Sequence, residues 1–223
     1  MKNIRIDLFA DIACPWCYIG ERRLELALER AIAVHPDLAV TWQWHPFQLH
    51  PDLPLHGMPW PQLVEIKFGG MEPAKPIFEQ VTAIGADEGL DFRFDRIANA
   101  PSTRDAHRLV LLAELSGRGE AMAMALFRAY FTEGRDLNDR ATLVMIGRSV
   151  GLAEAELEAY LESEVGVDEV KAGQEEAEKA GIHGVPFYIF DGRYAISGAQ
   201  PSELFDRAIA AVLSDDDPPI DAQ

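Results

Sequence analysis

The sequence predicts an α/β fold whose sheet-forming parts lie at the two ends of the chain, with an all-helical insertion between them. Three observations carry this. Residues 4–9 and 38–47 are strand-like runs bracketing a helix-periodic stretch, which makes a β-α-β unit. Residues from about 62 to 165 are mostly helix-periodic. The chain then closes on a helix, two β-rich runs and a final helix.

In IRIDLF (residues 4–9) apolar and polar residues alternate, as in a half-buried strand. From Glu21 to Val34, Leu24, Leu28, Ala31 and Ile32 recur at helical spacing. LAVTWQWHPF (38–47) is β-branched and aromatic, so the crossover makes two parallel neighbouring strands. Pro51, Pro54, Pro59 and Pro61 mark residues 50–61 as loop. Ile77, Val81 and Ile84 then share a helix face, with Pro76 expected in that helix's first turn. Ser102 is the expected N-cap of a helix running to about Ser116 and closed by Gly117. Helices are expected over 119–132, 139–150 and 153–163, and a charged-faced one over 167–180. Asp191-Gly192 joins two β-rich runs with a strong hairpin signal, and Pro201 opens the last helix. SDDDPPIDAQ has little to bury and reads as a disordered acidic tail over 214–223.

Hydrophobic residues at 48% and charged residues at 26% suffice for a globular core. The net charge of −17 argues against nucleic acid and anionic membrane as partners. The N-terminus lacks the apolar run of a signal peptide, and no stretch approaches a membrane span, so the expected location is cytoplasmic.

Both cysteines of the chain lie in Cys14-Pro15-Trp16-Cys17, where the first strand gives way to the first helix. A thiolate, not a thiol, attacks a disulfide, so a redox pair needs one cysteine of lowered pKa. Cys14 is expected at the helix N-terminus, where unpaired N–H groups favour the anion. Pro15 suits the first turn because its missing N–H has no partner to lose there. Cys17 comes one turn later, within reach of a mixed disulfide on Cys14. Catalytic Cys14 and Cys17 need no cofactor. The competing reading is half a zinc site that borrows His45, His50 and His56 as further ligands. These histidines lack paired spacing, and the strand–helix context favours redox chemistry.

Val185-Pro186 opens a late strand, and on the residues alone an edge-strand proline and a cis proline are equally good readings. The element order matches a thioredoxin-like fold. CPWC at a strand–helix junction, GVPF before a DG turn, and SGAQP afterwards resemble the DsbA family of thiol–disulfide oxidoreductases. STRDAHRL and YFTEGRDLNDRATL narrow the resemblance to its cytoplasmic FrnE-like branch. The β-α-β start and α-β-β-α finish predict a thioredoxin-like domain from residues 1–50 and 168–213, with 51–167 as the helical insertion domain. The resemblance implies a cis Pro186 packed beside the cysteines, and substrate contact by Pro15, Trp16, Val185 and Pro186. The implied partners are protein or small thiol and disulfide substrates, with glutathione as a reductant.

The alternative is a glutathione-dependent isomerase or transferase of the 2-hydroxychromene-2-carboxylate isomerase or kappa-class type. Such proteins carry serine in place of Cys14 and an Asp-Arg pair where this chain has Ser197-Gly198-Ala199-Gln200. Among secondary candidates, His183 lies near Pro186 but is expected as an exposed loop residue. Asp11 is expected in solvent or capping backbone, and His107 in a structural role. Met122, Met124 and Met145 are expected in the core.

Overall fold

The computed structural model describes residues 2–214; the expected acidic tail, apart from Ser214, lies outside them. Four strands form the main sheet: β1 (Lys2–Ala10), β2 (Leu38–Pro46), β5 (Phe187–Phe190) and β6 (Tyr194–Ser197). Their order is β2-β1-β5-β6, with β1 parallel to β2 and antiparallel to β5. The crossover is α1 (Pro15–Val34), which buries Ile19, Leu24, Ala27 and Leu28. Because β5 runs against β1, its entry lies beside the exit of β1, with Phe9 opposite Phe187. Both expected site segments therefore sit at one end of the sheet. Asp191 and Gly192 both take positive φ in the β5–β6 turn, and the Arg193 N–H returns to the Phe190 carbonyl (2.9 Å). This is the twist-matched turn that an Asp-Gly pair favours.

Between the sheet halves run α2 (Trp60–Phe68), α3 (Met71–Asp87), α4 (Arg104–Glu114), α5 (Gly119–Phe127), α6 (Arg140–Ser149) and α7 (Glu154–Glu162). Then α8 (Val167–Lys179) packs on β2, and α9 (Ser202–Ser214) packs on α1. One apolar cluster runs from Ile4, Ile6 and Leu8 of the sheet through Tyr18 to Phe127 and Phe131 of the insertion. Sheet and helices thus share a core.

Several local expectations need correction. Residues 50–61 are not all loop: β3 (Met58–Pro59) pairs with β4 (Asn99–Ala100), and Trp60 already begins α2. Pro59 tolerates this because the ribbon is only two residues long and both strands are edges. Pro76 lies inside α3, not in its first turn. Thr103, not Ser102, occupies the N-cap position of α4, and the Ser102 N–H donates instead to Asn138 Oδ1 (3.0 Å). Residues 119–132 are not one α-helix, since α5 gives way to a π turn over Arg128–Thr132. Met122 is fully buried, whereas Met145 is exposed.

Candidate functional site

Cys14 is the N-cap residue of α1, with extended backbone, and Pro15 follows in the first turn. The Cys14 N–H donates to the Asp11 carbonyl (3.0 Å), and the Cys14 carbonyl accepts from Cys17 and Tyr18 (3.1 and 3.3 Å). Both cysteines are buried free thiols. The Cys17 thiol donates to the Cys14 sulfur, and the N–H groups of Cys17 and Trp16 point at it too. Together they hold the Cys14 thiol below its ordinary pKa, against burial and the nearby Asp11 charge. Cys17 moves the other way. Burial, then the Cys14 sulfur, push it well up.

Across the sheet end, Val185–Pro186 is a cis peptide, and the Val185 carbonyl accepts from the Cys14 thiol at 3.7 Å. Gly20 lets α1 approach this strand, because a Cβ there would collide with the Tyr188 hydroxyl and crowd the Pro186 ring. Helix, cysteines and proline are therefore held together by a residue whose side chain is absent.

Asp11 corrects an expectation. It is 1% exposed, not in solvent. Its carboxylate accepts from the N–H groups of Ala13 (3.3 Å) and Leu49 (2.8 Å), so the backbone-capping half of the expectation holds. His107, fully buried on α4, supplies a third donor. Trp44 Nε1 can only donate, and it donates to His107 Nδ1 (2.9 Å). The imidazole proton must then sit on Nε2, which donates to Asp11 Oδ1 (3.3 Å). Burial pushes the Asp11 carboxyl up, but the bonds from His107, Leu49 and Thr103 more than offset it, leaving its pKa below the usual range. A buried carboxylate thus stands close to the thiols.

Pro15, Trp16 and Val185 line one cavity with Cys14, and α2, α3 and the π turn complete its wall. Pro186 is buried next to it. His183 is exposed. Of the histidines weighed as zinc ligands, His45 bonds Asp7 (2.8 Å) and Glu176 (2.9 Å), and His50 lines the cavity. No three His, Cys, Asp or Glu side chains among the described residues are placed to hold a metal ion. No described helix is long and apolar enough to cross a membrane.

Sequence reading missed Glu21 and Arg108. Glu21, one turn past Cys17, is 3% exposed, and its Oε1 has no hydrogen-bond partner among the described residues. Fully buried Arg108 donates to the carbonyls of Tyr160, Ser163 and Val165 (2.7 Å each), pinning the α7–α8 link. Burial of a charged residue has no local signal when its partners are distant in sequence.

A thiol pair opening the crossover helix, a mixed four-stranded sheet and a facing cis proline define the class: an oxidoreductase-type thioredoxin fold. Within that class the chain belongs to the DSBA-like thioredoxin domain family, whose model matches residues 5–210. A probable DsbA oxidoreductase from Streptomyces coelicolor is 36% identical, with TM-score 0.84, over 96% of this chain and 92% of that one. The uncharacterized protein YwbO of Bacillus subtilis is 27% identical over 211 residues, 93% of this chain and 96% of that protein. The cytosolic disulfide reductase DsbM of Pseudomonas aeruginosa, solved with GSH, is similar in fold (TM-score 0.61, 21% identity, 93% of this chain and 95% of that one).

Proposed function

We propose that the chain is a thiol–disulfide oxidoreductase in which Cys14 is the nucleophile and Cys17 the resolving thiol. The observation that carries this is the placement of Cys14 as the N-cap residue of α1, beside the Val185 carbonyl, with Cys17 buried one turn inside; the opposed shifts, Cys14 down and Cys17 up, agree with it. The Cys14 thiolate attacks a substrate disulfide, forming a mixed disulfide and expelling one substrate sulfur as thiolate, which takes a proton. Cys17 then gives up its proton and attacks the Cys14 sulfur, closing a Cys14–Cys17 disulfide and expelling the second substrate thiolate. The substrate gains two electrons and the protein loses two. Two molecules of a small thiol such as glutathione restore the reduced pair. Read backwards, the same steps oxidise a dithiol.

Pro15, Trp16, Val185 and Pro186 are the substrate contacts in this reading, and the substrates are protein or small disulfides. We assign residues 1–50 and 168–213 to the thioredoxin-like domain and 51–167 to the insertion, and a FrnE-like, cytoplasmic setting. The thiol at position 14 favours this reading over the glutathione-dependent isomerases and transferases, as does Ser197-Gly198-Ala199-Gln200 in the place after the last strand where those proteins carry an Asp-Arg pair.

The test is insulin reduction with glutathione, together with alkylation of the reduced protein. Cys14→Ser should abolish activity, and Cys17→Ser should accumulate mixed disulfides on Cys14. Iodoacetamide at mildly acidic pH should label Cys14 first. Labelling of Cys17 first, or full activity in Cys14→Ser, overturns the assignment.

A further inference from the structure

The cavity beside Cys14 holds about 300 Å³, at the small end of ligand pockets. Its wall is aromatic, with Trp16, Trp60, Phe78, Phe94 and Phe131 among the residues lining it. Trp60 lies 5.7 Å from Phe78, centroid to centroid, and Phe78 stacks on Phe94 at 4.6 Å. This ladder comes from the insertion, so the insertion supplies most of the surface a substrate meets next to the thiol.

Charge is distributed unusually here. The chain has 37 acids against 20 bases, yet no Asp or Glu among the described residues lines the cavity. Lys67 does; it is exposed, with its Nζ over the Phe68 ring of the same wall at 5.6 Å from the centroid. His50, the other titratable nitrogen in the wall, is held below its usual pKa by burial and by the Lys67 charge. Two donors in the wall also have no partner among the described residues: the Trp60 indole N–H and the Tyr130 hydroxyl. A buried donor left unpaired costs about 1–3 kcal/mol, which a ligand acceptor would recover.

Building on the exchange reading above, we propose that this cavity is a specificity site for a small aromatic thiol or disulfide that bears a carboxylate or similar anionic acceptor. The ring lies against the aromatic wall, the anion takes up Lys67 and an unpaired donor, and the sulfur is presented to Cys14. A peptide side chain has the ring but no anion beyond it. In the redox step, Cys14 attacks the aryl disulfide and the aryl thiolate leaves, its charge delocalised into the ring. Cys17 then resolves as before, and glutathione supplies the two electrons.

Three disulfides separate the ideas: bis(carboxyphenyl) disulfide, the disulfide of mercaptoethanol, and insulin, each assayed with glutathione and glutathione reductase. The readout is selectivity, the ratio of kcat/KM for the aryl substrate over that for the mercaptoethanol disulfide. Trp60→Phe keeps the ring but loses the N–H, and Lys67→Met removes the charge; each should lower the ratio about tenfold. Ile77→Trp, at a 41% exposed wall position where folding is not at risk, should fill the cavity and lower it at least as much. Calorimetry with the unreactive methyl thioether of mercaptobenzoate should show saturable binding that Ile77→Trp abolishes. If the variants change all three substrates equally and the thioether does not bind, the specificity site falls while disulfide exchange stands. If the thioether binds but no disulfide is reduced, the exchange reading falls and the site stands. If insulin is the favoured substrate and the variants impair it most, the occupant is a peptide and the proposal is overturned.

Discussion

On the loop before α1, Asp11 accepts from Ala13, Leu49 and His107 and is held ionised. One turn past Cys17, Glu21 is almost as deeply buried, yet burial and the nearby Glu120 charge push its pKa well up. The two acids flank the same thiol pair, in similar apolar surroundings. Donors decide between them: Asp11 has several within reach, whereas one oxygen of Glu21 has none among the described residues. Depth alone does not set the charge of a buried carboxyl. The loop side of the thiols thus favours a negative charge, and the helix side disfavours one.

The most severe way to break this contrast is His107→Leu. It removes a donor from Asp11 and the acceptor of Trp44 Nε1 at once. The expected cost is about 3–5 kcal/mol, read from denaturant unfolding. A change below about 1 kcal/mol would mean that His107 does not hold the Asp11 charge.

A milder change sharpens the contrast. Asp11→Asn keeps one acceptor oxygen, enough for the Ala13 and His107 side or for Leu49 but not for both, and removes the charge that opposes a thiolate on Cys14. The Cys14 pKa should fall further when followed by thiolate absorbance in the ultraviolet. A rise would show that the Asp11 charge does not face the sulfur.

The smallest effects are on pH dependence. Glu21 and Glu114 have folded pKa values above their unfolded ones, Glu114 at about 7, both through burial. In that window the native state binds more protons than the unfolded chain, so stability falls as pH rises. Asp11 has the opposite sign: its contribution is complete above the ordinary carboxylate pKa and is lost in acid. Glu21→Gln should therefore be more stable than the parent at pH 9 and equal to it near pH 4. For partly exposed Glu114, solvent screening reduces the gain from Glu114→Gln to about 1 kcal/mol, which develops as pH rises towards about 7 and is complete above it. Equal stability of either variant and the parent across this range would refute the assignment.

The strands, α1, the Asp191-Gly192 turn and the thiol pair were legible because their signals are local: alternation, helical spacing, a positive-φ dipeptide, one helical turn between cysteines. The isomer of Pro186 was legible only through resemblance, since proline spacing does not choose it. Asp11 was misread because its partner His107 is 96 residues away. Pro76 was misplaced because α3 begins earlier, at Met71 behind Gly70, than its apolar face suggests. The π turn at residues 128–132 left no trace, for its apolar residues fit ordinary helical spacing closely enough.

That turn has a consequence for how the wall of the cavity is aimed. Glu133 N–H reaches back five residues to the Arg128 carbonyl (3.1 Å), so the segment carries one residue more than an α-helix would over the same span. The surplus residue works as a phase shifter. Tyr130 and Phe131 reach both the core and the cavity from it, while Arg128 stays outside. Deleting Ala129 would rewind the segment to an α turn over the same span, leaving the residues on either side in phase and shifting the rings inside the turn. An ordinary substitution removes one ring from the wall, but this single deletion would re-aim Tyr130 and Phe131 together.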